Sequence, residues 1–467
     1  MSHAAPGPRT FWTPLKAAAT LMTAAFFFRR LCFRCGDPDI WGRMAVGRLF
    51  LERGRMPRSD PFAYTPTLPE WIDHEWLSGV VFYLVHAWSG EAGLILQKAL
   101  FGLATVALVV RTARLHRAPY LPTLGLTALA MPVLAYGFAP RAQVFSYVLF
   151  AAWLWCLEGE RLGGGTRRLL VIPATAPVWA NLHGGFLAGF GLLALYGIGG
   201  LGRPRRAPRL LAVGVGALLL TLINPYGLRY WAYLGRAVTM KRPGVEEWGP
   251  MPWNAQTYAF WLLVLILLAA ALGHRRRVSG LGAAPVLVLV VVLVMALRHM
   301  RHMPFFAIAA AALGPALLFE PGREFFEGEQ DQRPLDRVAR GVFAAAMLLV
   351  AAFHVHGLFA RDGPLRFDAA GRESVPCERF PVEAVMRARG AGVGGNIAVP
   401  FNWGELVIWH VYGRGRVSLD GRYEECYPES TLELVERFFS AGPGWRELID
   451  RYPTEHVLAP REAPVVR

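Results

Sequence analysis

The chain has 467 residues, of which 54% are hydrophobic and 18% are charged, and it carries a formal net charge of +15. Apolar runs recur along its length, which excludes an ordinary soluble globular protein and indicates an integral membrane protein. The cations fall in short clusters between these runs and form no compact basic domain, so we expect no nucleic-acid partner.

The first apolar segment is short, because only residues 17–28 lie between Lys16 and Arg29. Snorkelling of these two long side chains can lengthen the span. A signal peptide is the alternative, although no clear small-x-small cleavage site follows the apolar run. We interpret the segment as the first crossing, with a cytoplasmic amino terminus.

The later apolar segments approach the roughly 20 residues that a helix needs to cross a bilayer. They comprise residues 92–110, 121–138, 184–201, 257–272, 281–297, 303–319 and 341–359. About eleven helices from a cytoplasmic start put five arginine clusters in the interior loops, as the positive-inside bias requires. The clusters are Arg111/Arg114/Arg117, Arg161/Arg167/Arg168, Arg203/Arg205/Arg206/Arg209, Arg275/Arg276/Arg277 and Arg323/Arg333/Arg337.

Hydrophobicity divides the chain into two parts. Residues 1–358 form a polytopic membrane domain, with two long outer loops at residues 34–91 and 225–256. Residues 359–467 are polar, and strand-like runs at 396–400, 406–409 and 456–459 alternate with helical stretches near 381–389 and 430–450. This pattern predicts a small α/β domain, which eleven crossings place on the extracytoplasmic side together with both long loops.

Titratable side chains cluster in the first outer loop, at residues 37–39 and 73–75. A carboxylate there can accept a proton from an acceptor hydroxyl or amine, and a second acid or a histidine can hold a divalent cation against a phosphate leaving group. We predict as catalytic residues Asp37, Asp39, Asp73, His74 and Glu75. If a divalent metal is used, Asp39 and Glu75 are its predicted ligands; ordinary solvated loop charges are the alternative.

Cations on the same side are candidates for binding a phosphate. Arg298, His299, Arg301 and His302 lie between two crossings, and guanidinium groups can bind phosphate oxygens bidentately. A juxtamembrane basic turn on lipid headgroups is the alternative. Arg141, in the preceding outer turn, is a second candidate.

A polar break interrupts two short apolar segments at Asn181 and His183. Such a break is tolerated near membrane depth where the backbone lines a cavity or packs on protein. We predict that both side chains face a substrate cavity, with a simple tight turn as the alternative.

The five cysteines carry little information. Cys32 and Cys35 form a lone C-x-x-C without the second pair that a zinc site requires. Cys377 and Cys426 can pair if the polar carboxy-terminal part is extracytoplasmic.

Two motifs in the first outer loop resemble those of a known superfamily. D-P-D-I-W at residues 37–41, a polar loop, D-H-E-W-L at residues 73–77, an apolar half-helix at 80–88 and a crossing that ends at Arg111 resemble the first outer loop of GT-C superfamily glycosyltransferases. These include the protein mannosyltransferase, aminoarabinose transferase and oligosaccharyltransferase groups. The chain looks most like bacterial membrane proteins with a D-P-D-[LI]-W loop and a terminal F-N-W-G … D-G-R-Y pattern, here at residues 401–404 and 420–423.

The resemblance implies a GT-C-like helical membrane fold and transfer of a sugar from a polyprenyl-phosphate donor to a saccharide, lipid or protein acceptor. The reaction would take place on the outer face of a bacterial inner membrane. Asp37 matches the first-loop acid of the superfamily, a general base or metal-positioning residue, whereas Asp39 has no fixed counterpart. His74 falls where related groups often begin a proline-containing stretch that this chain lacks.

Two other functions remain open at the level of sequence. A transporter or flippase of lipid-linked saccharides also needs a polar cavity and phosphate-binding arginines, but not a proton-accepting acid. An ATP-driven motor is not expected, because no P-loop lysine follows a glycine-rich turn. A non-catalytic scaffold is favoured if the first-loop acids and the residues at 298–302 prove to be far apart.

Overall fold

The computed structural model describes residues 13–33, 37–240, 246–255, 257–322, 334–360 and 380–466, with the backbone alone at 246, 334–337 and 424. The helices are α1 (Pro14–Leu31), α2 (Pro38–Arg53), α3 (Trp76–Leu115), α4 (Tyr120–Ala135), α5 (Gln143–Arg161), α6 (Val171–Leu182), α7 (Phe186–Ile198), α8 (Arg206–Leu220), α9 (Leu228–Thr239), α10 (Tyr258–Gly273), α11 (Arg275–Leu281), α12 (Ala283–Arg298), α13 (Met303–Leu318), α14 (Pro334–Phe359), α15 (Val382–Gly390), α16 (Gly404–His410), α17 (Glu429–Phe439) and α18 (Glu447–Arg451). The strands are β1 (Gly395–Ala398), β2 (Gly415–Val417) and β3 (His456–Val457).

Each long apolar segment of the sequence coincides with a helix, namely α3, α4, α7, α10, α12, α13 or α14. Among the described residues, three helical segments are long and apolar enough to cross a membrane: Trp76–Leu115, Met300–Leu318 and Val338–Phe359. Helices α10 and α11, bent by 101°, make a fourth if they count as one span, and α4, α7 and α12 are apolar but shorter. The figure of eleven crossings therefore stays a prediction.

Helix α2 lies inside the segment that the sequence predicted as an outer loop. Its start is set by Asp37, whose side chain accepts a hydrogen bond from the Asp39 N–H at 3.1 Å, and by Pro38, which has no N–H to leave unpaired. Gly54, with a φ of +67°, ends it in the left-handed conformation. Arginines interrupt its apolar residues, so the sequence contains no continuous apolar run that predicts this helix.

Helix α3 consists of two halves that meet at Gly90, where φ is +60° and ψ is −155°. Glycine is favoured there because a side chain would be strained at this φ. The first half contains the predicted half-helix at 80–88, and the second half extends to Leu115, beyond the predicted end at Arg111. The acidic end of the first outer loop thus leads directly into the helical bundle.

Helix α13 lies at the centre of the bundle. Its residues from Met303 to Pro315 are all buried, and it packs against α3, α4, α10 and α12. A run of four alanines, residues 309–312, has small side chains that let neighbouring helices approach closely. Its amino end follows Arg301 and His302, so this central helix positions the predicted cationic segment.

The carboxy-terminal part contains a three-stranded parallel sheet in the order β2-β1-β3. The first loop extends this sheet, because Ala63 pairs with Val417 beside β2. The strand-like run at 406–409 is wrong as a strand: it forms helix α16, which packs against α2 and α15. A short continuous apolar run fits either a buried helix or a buried strand, and here the helix is buried on most sides.

The two ends of α5 carry different chemistry. Arg141 lies just before its amino end, whereas Glu158 near its carboxyl end contacts Arg161 and His116, with the Arg161 Nε–Glu158 Oε2 distance at 2.8 Å. Glu160 receives a further 2.8 Å hydrogen bond from Arg206. A helix of this length spans about 28 Å, so Arg161 and Arg206 lie at the opposite end of α5 from Arg141.

Candidate active site

Asp37 is buried at the amino end of α2, with 3% of its surface exposed. Arg141 donates a hydrogen bond from Nε to its carboxylate. Burial and the neighbouring Asp39 charge raise the pKa of Asp37 to about 7, against the opposing effect of Arg141. The side chain of Asp39 is 43% exposed, and its Oδ2 lies 3.9 Å from the same Arg141 Nε. One guanidinium therefore lies beside both acids, of which Asp39 is open to solvent.

Arg141 extends this pair toward the second predicted outer loop. Its second contact is a 2.8 Å hydrogen bond from a terminal nitrogen to Glu247 Oε2. The other oxygen of Glu247 lies 3.7 Å from Arg301, whose guanidinium is 4.2 Å from the centre of the Trp248 ring. The structure thus links Asp37, Arg141, Glu247 and Arg301 in one chain of alternating charge.

Arg43, on the same helix as Asp39, lies among three buried or nearly buried carboxylates. Its guanidinium is 2.5 Å from Asp73 Oδ1 and 3.6 Å from Glu75 Oε2 and from Glu425 Oε2. Removing a charge from water is costly unless partners and hydrogen bonds compensate it. Arg43 therefore stabilises the folded position of residues 73–75 and also attaches the carboxy-terminal part to them.

His74 lies between two carboxylates. Its Nδ1 is 3.0 Å from Glu425 Oε1, and its Nε2 is 3.4 Å from Glu75 Oε1. Burial lowers the pKa of His74, but Glu425 and Glu75 outweigh burial and raise it to about 10. At neutral pH the ring is therefore a cation, so it is suited to hold these acids in place and not to act as a general base.

His183 contacts the same acid from the helical bundle, with its Nε2 3.5 Å from Glu75 Oε1. Its Nδ1 accepts a hydrogen bond from the Gly185 N–H at 3.0 Å and lies 2.6 Å from Ser146 Oγ. Because Nδ1 accepts, the proton of the neutral ring is on Nε2, which directs it toward Glu75. His183 thus belongs to the acidic site.

The side chain of Asn181 makes hydrogen bonds to other parts of the protein. Its Oδ1 accepts a hydrogen bond from Trp76 Nε1 at 2.7 Å, and its Nδ2 donates to the carbonyls of Pro177 and Ile223 at 2.7 and 2.8 Å. These bonds fix the end of α6 against α3 and the segment after α8. The contacts favour the tight-turn alternative for Asn181 over direct contact with a substrate.

The side chains of the cationic segment at 298–302 contact different residues. Arg301 contacts Glu247, while His299 Nδ1 lies 2.6 Å from the Trp248 carbonyl oxygen. His302 Nδ1 is 3.4 Å from the Met295 carbonyl oxygen, and Arg298 is exposed at the end of α12. Arg301 is thus the member of this segment that the structure joins to Arg141 through a shared carboxylate.

The two terminal motifs attach the carboxy-terminal part to the first loop. Glu405, directly after F-N-W-G, accepts a hydrogen bond from the Gly42 N–H of α2 at 3.1 Å. In D-G-R-Y, Arg422 donates to both oxygens of Asp420 at 2.8 and 2.6 Å and also to Asp60. These contacts bring Glu425 to His74, so the motifs serve to assemble the site.

Glu247 was a reserve candidate as an acid of the second outer loop, whereas three residues of the site were missed by the sequence predictions: Arg43, Glu405 and Glu425. Arg43 carries a weak signal, since it is a charged residue on the face of α2 that also holds buried Ile40 and Met44. The two carboxy-terminal acids carry no local signal, because their partners lie near the other end of the chain. Cys377 lies outside the described residues, so its pairing with Cys426 stays a prediction.

The two predicted metal ligands, Asp39 and Glu75, contact different residues. Asp39 is beside Arg141, and Glu75 is beside His74, His183 and Arg43. Within the described ranges, no three His, Cys, Asp or Glu side chains form a group that could hold a metal ion. A divalent cation needs several oxygen ligands, so its binding by Asp39 and Glu75 stays a prediction.

No protein-family model matches this sequence, and no curated protein matches it. A solved structure is similar in fold: the archaeal oligosaccharyltransferase AglB from Archaeoglobus fulgidus, in complex with an inhibitory peptide and a dolichol-phosphate. The similarity has a TM-score of 0.52 at 11% sequence identity and covers 85% of this chain. It spans 64% of the length of the AglB chain.

The chain therefore shares its fold with AglB and contains apolar helices long enough to cross a membrane. At this sequence identity the likeness extends to the fold alone.

Proposed function

We propose that this protein is a membrane-embedded GT-C glycosyltransferase that moves a sugar from a polyprenyl-phosphate-linked donor to an acceptor on the outer membrane face. The observation that carries the proposal is the Asp37–Asp39 pair beside Arg141, at a position reached by both long loops and by the carboxy-terminal part. The fold likeness to an oligosaccharyltransferase solved with dolichol-phosphate and a peptide supports it.

Asp37 and Asp39 differ in solvent exposure, and we assign them different roles. A general base must come within hydrogen-bond reach of the proton that it accepts. The side chain of Asp39 is 43% exposed, whereas Asp37 is buried and bonded to Arg141. We assign contact with the acceptor to Asp39, although the sequence resemblance matched the first-loop acid to Asp37. Asp37 then positions Arg141.

The donor phosphate is assigned to the guanidinium groups of Arg141 and Arg301. Both contact Glu247, so the two cations lie on either side of one carboxylate. Arginine has five N–H donors in a planar fork that matches phosphate oxygens. The Trp248 ring fixes the plane of Arg301. A phosphate that enters here can replace Glu247 as the shared acceptor.

The side of the membrane follows from the distribution of charge. Arg161 and Arg206, at the ends of their helices, lie at the far end of α5 from Arg141. Cytoplasmic loops of membrane proteins are enriched in lysine and arginine. We therefore assign the arginine-rich end to the cytoplasm and the acidic site to the extracytoplasmic face, with the carboxy-terminal part on that same face.

The scaffold alternative required the first-loop acids and the segment at 298–302 to be far apart. The contacts through Arg141 and Glu247 join them, which removes the reason for preferring it. A transporter of lipid-linked saccharides has the same need for arginines but not for Asp39, so an assay of chemistry separates the two functions.

The test is turnover of polyprenyl-phosphate-linked hexoses and pentoses by the purified full-length protein in detergent, with cell membranes that lack the protein as the acceptor source. We expect D39N to lower transfer at least about 10²-fold while donor binding persists, because general-base catalysis contributes about 10²–10⁴-fold. D37N should lower transfer and also weaken donor binding through Arg141.

The matched control is D450N, which removes an exposed acid from α18. It should transfer sugar at the wild-type rate. Transfer that is unchanged in both D37N and D39N would contradict the assigned roles. Binding of the donors without any turnover by the wild-type protein would favour the transporter.

A further inference from the structure

A cavity of about 280 Å³ lies between α2, the first half of α3 and the carboxy-terminal part. Three arginines from three different elements line it: Arg48 on α2, Arg389 on α15 and Arg414 before β2. His86, Trp409 and Tyr412 form other parts of the wall. Apart from Trp409, which lies in the run predicted as a strand, no sequence pattern points to these residues.

This cavity is separate from the acidic site. Asp37 caps the amino end of α2 and Arg48 lies eleven residues further along that helix, a length of about 16 Å. His86 likewise lies eleven residues along α3 from Glu75, which caps that helix. No residue that lines the cavity contacts Asp37, Arg141 or Arg301 in the part of the chain that the structure describes.

The lining is strongly cationic. It contains three arginines and no carboxylate. Glu52 neutralises Arg48 in part, since the Arg48 Nε–Glu52 Oε1 distance is 2.8 Å. Arg389 and Arg414 are exposed, and the described residues include no carboxylate bonded to either. Like charges that converge on one cavity repel one another, and a bound anion removes this cost.

The aromatic side chains give the cavity defined walls. The Arg48 guanidinium lies 4.2 Å from the centre of the Tyr412 ring, and the Tyr412 hydroxyl donates to Glu52 Oε2 at 2.8 Å. His86 and Trp409 meet edge to face, with ring centres 5.4 Å apart. These contacts hold Arg48 and Trp409 in place, so part of the wall is formed before a ligand binds. The cavity volume of about 280 Å³ is just below the roughly 300–1,000 Å³ range of ligand pockets, so the cavity fits a small chemical group.

We propose that this cavity binds a phosphate group, carried either by a lipid headgroup or by a soluble compound. Planar guanidinium forks match phosphate oxygens, and the rings of Trp409 and Tyr412 offer apolar surface to whatever carries the phosphate. The site does not depend on the proposed glycosyl transfer, because none of its residues belongs to the acidic site.

The experiment measures binding of two probes to the full-length protein in detergent: short-chain phosphatidic acid, by native mass spectrometry, and inorganic phosphate, by competition against it. The variant is R389Q/R414Q. The matched control is R387Q/R416Q, which removes the same charge from neighbouring positions on α15 and β2 that do not line the cavity. Both variants replace exposed side chains, and equal thermal unfolding temperatures check that both fold.

We expect R389Q/R414Q to bind phosphatidic acid at least about tenfold more weakly than the wild type, since the variant loses two guanidinium groups that can donate charge-assisted hydrogen bonds to the phosphate. R387Q/R416Q should stay within about twofold of the wild type. Complete displacement of phosphatidic acid by inorganic phosphate shows that the phosphate group suffices and identifies a soluble phosphate compound as the ligand class. Incomplete displacement shows that the lipid part contributes and identifies a lipid headgroup. Equal weakening in both variants, or no binding of either probe to the wild type, overturns the proposal.

Discussion

Arg43 lies inside α2 with 7% of its surface exposed, next to Asp73, Glu75 and Glu425. A buried arginine that lost these acids would carry the full cost of its desolvation. Its position therefore requires the first loop and the carboxy-terminal part to close over it together. Arg43 thus holds Asp73 and Glu75 together, although it lies about thirty residues before them in the sequence.

His74 predicts a specific pH dependence of stability. Its pKa is raised from 6.5 to about 10, so the folded state holds the proton more tightly than the unfolded state does. The resulting stabilisation, on the order of a few kcal/mol, is complete below pH 6.5 and is lost as the pH rises through about 10. The unfolding temperature of the wild type should therefore fall toward that of H74Q over this range.

The measurement compares thermal unfolding in detergent from pH 6 to pH 10.5, in steps of about half a unit, for the wild type, H74Q and H456Q. His456 is exposed on β3, so H456Q should follow the wild type throughout. A constant difference between the wild type and H74Q at every pH would show that the imidazolium contributes nothing through its charge.

At the scale of elements, the position of α2 depends on a glycine contact with α3. A β-carbon at Gly47 would lie 2.1 Å from the carbonyl oxygen of Gly79, and one at Gly79 would lie 2.3 Å from that of Arg43. The two helices therefore touch through their backbones. This close approach sets the distance between Arg43 on α2 and Glu75 at the start of α3.

The substitution G79A should destabilise the protein by about 2 kcal/mol or more, because the added methyl group meets backbone that must shift. G125A is the matched control: Gly125 lies within α4 and a β-carbon there meets nothing within 4 Å. Alanine should be neutral or should stabilise α4 by up to about 1 kcal/mol. Thermal unfolding of both variants is the measurement, and equal unfolding temperatures would contradict the close packing of α2 on α3.

At the scale of the whole molecule, the first loop and the carboxy-terminal part lie on the same side of the bundle. The Val417 N–H donates to the Phe62 carbonyl at 2.9 Å, and Arg422 bonds Asp60. No membrane can separate segments that share backbone hydrogen bonds. Thr166, by contrast, follows the arginine-rich end of α5.

Labelling with a membrane-impermeant maleimide tests this arrangement, in a background first shown to be unreactive. The single-cysteine variants are S59C in the first loop, D450C in α18 and T166C, and all three positions are exposed. In intact cells we expect S59C and D450C to react and T166C to react after lysis. Reaction of S59C and D450C from opposite sides would contradict the fold, whereas reaction of all three positions with the predicted sides exchanged would contradict the assigned orientation alone.

Most of the apolar helices could be predicted from the sequence, although their ends could not. Apolar runs coincide with α3, α12, α13 and others, because hydrophobicity over a window of residues is a local property. The loop residues at 37–39 and 73–75 were also recognisable, since titratable groups beside apolar segments stand out. Helix α2 and the helical form of residues 406–409 were not, because their burial depends on elements that lie far away along the chain.

The pairing of the charges could not be predicted from the sequence. Arg141 meets Asp37, Glu425 meets His74, and Arg301 shares Glu247 with Arg141, although the partners in each contact are distant in sequence. The exposure that separates Asp39 from Asp37 is likewise a property of the packed molecule. Ion pairs and solvent access depend on distances in space, and these exist only after the helices, the first loop and the carboxy-terminal part have packed together.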